Sequence, residues 1–167
     1  LWRVVEGPGD ADCFGCGRGF GRDFDRSGRA AVEIIMADFF FFGTLCHAPL
    51  LAEVLGRKAD SQPAKLSGFA GYWAEGRAFP LLVAEAGAVT EGVLVSGLTP
   101  RDIERLDFYQ GGFARATQEV RVTAGKSVVT ARAYFAGDKQ WQPGAPWVLA
   151  DWQGRFGPAV VATAREI

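Results

Sequence analysis

The sequence predicts an α+β fold: a small, mixed, mostly antiparallel β-barrel with two or three flanking helices. Three features carry that prediction. Four consecutive phenylalanines, residues 39–42, end abruptly at Gly43-Thr44. Two segments, FARATQEVRV and SVVTARAYF, alternate apolar and polar residues in period two around the turn Ala124-Gly125-Lys126, the pattern of a hairpin. Short helical stretches with explicit start and stop residues separate the strand-like segments.

Taken in chain order, residues 37–45 read as a buried strand, because phenylalanine is bulky, apolar and strand-favouring. Pro49 fits the first turn of a helix running to about Leu55, with Gly56 as its C-terminal stop. Residues 65–74, KLSGFAGYWA, form a weaker strand in which Gly68 and Gly71 mark a bulge or a close backbone approach. After the turn EGRAF come two further strand segments, Pro80-Leu-Leu-Val and GAVTEGVLVSGL. Thr99-Pro100-Arg101-Asp102 then starts a helix, with threonine as N-cap, proline at N1 and an acid at N3. That helix ends at Gly111-Gly112, and the hairpin follows. The run Ala159 to Ile167 favours a helix and stops without a cap or a glycine signal, as in a fragment of something longer.

The ends differ from the middle. Residues 1–35 hold seven glycines and no sustained periodicity, which predicts a flexible leader or a segment translated upstream of a true start at Met36, the only methionine. Five arginines there are offset by six acidic residues, so the segment is not a basic nucleic-acid arm. Cys13 and Cys16 have the spacing of half a zinc knuckle without a second half. The expected organisation is a leader over 1–35, a barrel domain over 36–140, and an extension or linker to a missing domain over 141–167.

Composition narrows the chemistry. A formal charge of −1 and a pI of about 5.9 argue against nucleic-acid and anionic-membrane partners. No apolar run approaches the roughly 18–20 residues of a membrane span. Three scattered cysteines suit a reduced, cytoplasmic protein. With His47 as the single histidine, multi-histidine metal sites are excluded, and no metal or cofactor is expected. Cys46 and His47 are neighbours whose side chains diverge on an extended chain, which reads as a buried thiol beside a helix-capping histidine.

The helix from Arg101 to Gln110 bears most directly on function. Ile103, Leu106 and Gln110 share its inward face, and Asp107 lies at that face's edge. Each buried amide or carboxylate left without a partner costs about 1–3 kcal/mol. Two readings stand. In one, Gln110 bonds loose carbonyls at the helix end while Asp107 pairs an arginine such as Arg115. In the other, both groups line a cavity mouth facing the Gly43-Thr44 turn.

The sequence GTL after an aromatic strand, Pro80, EGVLVSGL, and LDFYQGGFAR with its hairpin together resemble the gamma-glutamylcyclotransferase-like superfamily, in its avirulence-induced-gene type. The resemblance covers about residues 37–137. It implies a pocket in which Phe42, Gly43, Thr44 and Leu45 cradle a gamma-glutamyl group through backbone N–H groups. It also implies a cyclotransferase, an acyltransferase or lyase type of enzyme that releases 5-oxoproline when the substrate's α-amine attacks its own γ-carbonyl. The family's acid/base glutamate falls three residues after the aspartate of the Leu-Asp pair, and here that position is Gln110. An amide cannot accept and return a proton at neutral pH, so a step worth about 10²–10⁴-fold lacks its usual agent. Asp107 points about 60° around the helix from Gln110, so it replaces that agent only if the pocket is rearranged.

A narrower resemblance is to the N-terminal half of bacterial proteins that join this domain to a Nudix hydrolase of the ADP-ribose pyrophosphatase or tellurite-resistance type. No Nudix box occurs in the 167 residues, so ADP-ribose hydrolysis is not attributed to them. The resemblance implies as an alternative a non-catalytic binding or regulatory module of such a hydrolase, with Trp141, Trp147 and Trp152 either forming the interface or closing the barrel.

Overall fold

Four phenylalanines in succession are buried because they sit on a strand that is covered on both faces. In the computed structural model, which describes residues 35–111, 115–136 and 141–166, strand β1 spans Ala37–Phe41. Side chains alternate across a strand. Phe39 and Phe41 therefore point to a core shared with the helices, while Phe40 and Phe42 point into a second core inside the barrel. Burial of each such ring contributes about 2 kcal/mol. A run that would be an exposure liability on a one-sided sheet is the expected pattern for a strand buried on both sides.

The other elements follow in order: α1 (Ala48–Leu55), β2 (Ser61–Ala74), β3 (Pro80–Leu98), α2 (Pro100–Gly111), β4 (Arg115–Ala124), β5 (Ser127–Ala136), β6 (Pro143–Pro146), α3 (Leu149–Arg155) and α4 (Gly157–Ala164). The strands run β3-β1-β5-β4-β2, and pairing of β2 back to β3 closes a five-stranded barrel, with β6 added beside β2. Among the described residues all pairings are antiparallel except β1 with β5, where Phe39 lies opposite Arg132. The mixed, mostly antiparallel barrel expected from the sequence is present. Among the described residues it is flanked by four α-helices rather than two or three.

Several boundaries differ from the sequence expectation. The first strand stops at Phe41, not Leu45, because the chain turns: Gly43 O accepts the Cys46 N–H at 3.0 Å, and Thr44–Cys46 form a single 3-10 turn. β2 begins at Ser61, since residues 61–67 find partners on the distal half of β3. The two segments expected at 80–83 and 87–98 are one bent strand, β3. Its register against β2 shifts between Ser67 and Phe69, at Gly68, whose φ of +84° suits glycine.

The C-terminal residues are not an extension. Residues 141–166 belong to the same compact unit, Ile34–Ile167. Tyr72 of β2 pairs with Pro146, α4 packs on α1, and Trp152 is fully buried, its indole N–H donating to Ala78 O at 3.0 Å. Trp147 packs on Trp73 with ring centroids 4.4 Å apart, and Trp141 meets Phe79 edge-on at 5.3 Å. Trp152 is committed to internal packing, whereas Trp141 and Trp147 are half-buried. The periodicity missed α3 because it is short and its one buried anchor is Trp152. The expectations for the leader, for Cys13 and Cys16 and for what precedes Met36 concern residues 1–34, which lie outside the described residues. No helix among the described residues is long and apolar enough to cross a membrane.

Candidate functional site

The site begins where β1 runs out. Gly43 is required there by space: a Cβ at this position would collide with the Pro80 ring at the start of β3. The glycine lets the turn lie against Pro80 while Phe42 anchors it from within the barrel and Leu45 from the helix side. Thr44 is half-buried between these two anchors.

Helix α2 is aimed at this turn by polar contacts at its start. Thr99 N–H donates to Asp102 Oδ2 at 2.9 Å, and Asp102 N–H donates to Thr99 Oγ1 at 3.3 Å, a reciprocal cap. Arg57, just beyond α1, donates from Nε and Nη2 to the two Asp102 oxygens at 3.2 and 2.7 Å. The Arg57 guanidinium and the Thr99 donors hold the Asp102 carboxyl down at about 2 despite its burial. Arg57 was not legible as a partner from spacing, since it lies 45 residues away in the chain.

From that anchored start the helix presents Leu106 and Gln110 inward, as the periodicity predicts, and Gln110 is only 7% exposed. Asp107 is exposed on the flank. Its described partner is Tyr134 of β5, whose hydroxyl donates to Asp107 Oδ1 at 2.6 Å. The alternative partner Arg115 has a side chain outside the described residues. For Gln110, no hydrogen bond to its amide is found among the described residues, so the expected bonds to helix-end carbonyls are not seen there.

These groups meet. Phe42, Gly43, Thr44, Leu45, Pro80, Gln110 and Tyr134 line one hollow, together with Phe40 and Phe41. Its volume is about 20 Å³ for water-sized contents, within about 300 Å³ of empty space that includes the open mouth. That is room for about one water before anything moves. Across Phe42 lies a larger cleft of about 620 Å³, walled by Phe42, Cys46, Gly71, Val93 and Trp147. Sequence reasoning found the turn and Gln110. It missed Tyr134 and the wall role of Pro80. The available signal for Tyr134 was alternation: Ala133 and Phe135 face the barrel interior, which leaves the tyrosine on the helix side with a polar tip needing a partner.

The neighbouring Cys46-His47 pair offers no nucleophile. Burial pushes the Cys46 thiol up to about 12, and its Sγ–H donates to Phe41 O at 3.0 Å. His47 occupies the N-cap position of α1 without a side-chain cap; its Nδ1 instead lies 3.0 Å from Gln153 Nε2 on α3. The expected capping role is thus replaced by a tie between helices. Tyr134 is 4% exposed, and burial, followed by the adjacent Asp107 carboxylate, holds its phenol well above the usual range. It is a neutral hydroxyl. None of the described side chains lining the hollow is a carboxylate, an imidazole or an amine.

The architecture is a five-stranded barrel with a hollow between an aromatic-Gly-Thr-Leu turn and the last turn of a helix. A family model described as gamma-glutamyl cyclotransferase, AIG2-like, matches residues 39–154, and the chain belongs to that family. Among curated proteins it is similar to Protein AIG2 C of Arabidopsis thaliana, 23% identical over 77% of this chain and 79% of that protein. It is also similar to AIG2-like protein C of the same plant, 30% identical over 58% of this chain, spanning only 54% of that relative's length. Its fold matches an Arabidopsis thaliana protein solved in solution (TM-score 0.61, 21% identity, 83% of this chain and 85% of that one). A solved structure named gamma-glutamyl cyclotransferase matches with TM-score 0.60 at 14% identity, over 80% of this chain and 88% of that one.

Proposed function

We propose that this barrel binds a gamma-glutamyl amide at the hollow and converts it to 5-oxoproline and a free amine. One observation carries the reading: Phe42, Gly43, Thr44 and Leu45, far from Gln110 in sequence, line the same hollow as Gln110. In this reading the turn's backbone N–H groups hold the glutamyl portion, and the glycine allows the ligand to approach the chain closely. The small hollow cannot take a whole gamma-glutamyl amide, so Phe42 shifts on binding and the amine portion lies in the adjoining cleft. Gln110 stands at the glutamate position and orients the amide through hydrogen bonds rather than moving its proton.

The test is release of 5-oxoproline from gamma-glutamyl-alanine and gamma-glutamyl-butylamine, followed chromatographically, with Gln110→Glu beside the parent. Turnover by either protein supports the site. If neither releases 5-oxoproline and neither shows ligand-induced chemical-shift changes at residues 43 or 110, the reading is wrong. A second reading is a non-catalytic binding or regulatory module of a Nudix hydrolase, supported by the amide at position 110; of the three tryptophans that would suit its interface, Trp152 is buried and Trp141 and Trp147 are half-buried.

A further inference from the structure

One residue that lines the hollow is hydrogen-bonded to a carboxylate. Tyr134 lines it on one side of β5, and at the tip of the same phenol the proton is already directed to Asp107 at 2.6 Å. With its hydrogen committed to Asp107, the Tyr134 oxygen keeps lone-pair capacity to accept a further hydrogen bond. Asp107 itself is exposed to solvent, one turn before Gln110 on α2. A carboxylate therefore stands one turn before position 110, joined by one hydrogen bond to a residue that lines the hollow.

We propose that Tyr134 and Asp107 form a two-member proton relay that does the acid–base work of this site in place of a carboxylate at position 110. The proposal rests on the cyclotransferase reading above. The substrate's α-ammonium gives a proton to the Tyr134 oxygen as the Tyr134 proton crosses to Asp107 Oδ1. The freed amine lone pair forms the new nitrogen–carbon bond at the γ-carbonyl. The bond from that carbon to the amide nitrogen then breaks, leaving its electron pair on nitrogen, and the proton returns from Asp107 through Tyr134 to the departing amine. A second proton follows the same route. The lactam nitrogen ends with two protons fewer than the α-ammonium, the released nitrogen with two more, and the protein is unchanged.

The phenol carries no charge at any stage. That suits a tyrosine whose burial and carboxylate neighbour both oppose ionisation. Arg132, which favours tyrosinate, acts in the opposite direction but more weakly than either. Tyr134 is the catalytic residue of the pair, since it lines the hollow; Asp107 acts through it.

The experiment uses the full chain and gamma-glutamyl-alanine, with kcat and KM measured for the parent, Tyr134→Phe, Asp107→Asn, Asp107→Glu, Gln110→Glu and the double variant Asp107→Asn/Gln110→Glu. Tyr134→Phe keeps the ring that packs on Phe39, and thermal unfolding confirms that each variant folds. The expected result is a fall in kcat of about 10²–10⁴-fold for Tyr134→Phe and Asp107→Asn with KM changed little, together with partial rescue by Asp107→Glu. In the Gln110→Glu background, where a carboxylate is restored at position 110, Asp107→Asn should cost much less. A purely structural Asp107 would cost the same in both backgrounds, and that outcome overturns the relay. So does an Asp107→Asn variant with the parent's kcat. If the parent is silent while Gln110→Glu turns over, the relay is wrong but the gamma-glutamyl site stands. Silence from every variant, with no ligand-induced shifts, removes the site and the relay together.

Discussion

The two ends of α2 handle their polar side chains in opposite ways. At the start, Thr99, Asp102 and Arg57 close on one another through short hydrogen bonds within the protein. Asp102 is 4% exposed and fully engaged. At the end, Gln110 is nearly as buried but faces a hollow, and the exposed Asp107 bonds to Tyr134, which lines it. A buried polar group whose partners are all internal stabilises and orients. One that borders empty space, with no partner among the described residues, keeps its hydrogen-bonding capacity open.

The hollow is where this contrast is most exposed to failure. Gly43→Val drives a branched side chain into Pro80 and fills the space, so ligand-induced shifts vanish and any 5-oxoproline release falls by at least about 10³-fold, with overpacking costing about 1–3 kcal/mol of stability. Retained turnover in that variant would place the site elsewhere. At the other end of the helix, Asp102→Asn removes the carboxylate that Arg57 and the Thr99 donors share, costing about 1–3 kcal/mol in denaturant unfolding while kcat changes less than about threefold. A variant with the parent's stability would show that the cap is decorative.

The same carboxylate separates the two helix ends through pH. Its folded-state value, about 2, lies below the unfolded one, so its contribution is fully present above about pH 4 and disappears as pH falls through 2. Stability of the parent measured from pH 5 down to pH 2 should therefore fall more steeply than that of Asp102→Asn; parallel curves would exclude the pairing. The smallest effect is expected at Gln110→Leu. Replacing an amide that has no described partner with an apolar side chain of similar size should shift stability by less than about 1 kcal/mol, in the stabilising direction, while lowering affinity for gamma-glutamyl-alanine. A loss of about 2 kcal/mol or more would mean that the amide is bonded in the folded protein.

Most of the barrel could be read from the chain because its signals are local. The Thr99-Pro100 cap, the αL stop at Gly56, the bulge at Gly68 and the Gly125 turn each follow from what one residue type permits the backbone to do. The continuous phenylalanines announced a buried strand. The failures were non-local. The long reach of β2, the union of two segments into β3 and the docking of residues 141–166 depend on partners that no short window contains.

For the site, the residue pattern chose the turn 42–45 and set Gln110 on an inward face, because glycine beside aromatic bulk and a 3.6-residue repeat are properties of the chain itself. Only the folded barrel decided that the two meet, that Pro80 walls the space between them, and that Tyr134, which also lines it, bonds to Asp107. Those facts come from closure of β2 onto β3 and from the pitch of α2, and a hydrogen bond across 27 residues has no local trace. The physical reason is that side-chain chemistry is written residue by residue, whereas proximity is created only when buried surfaces come together.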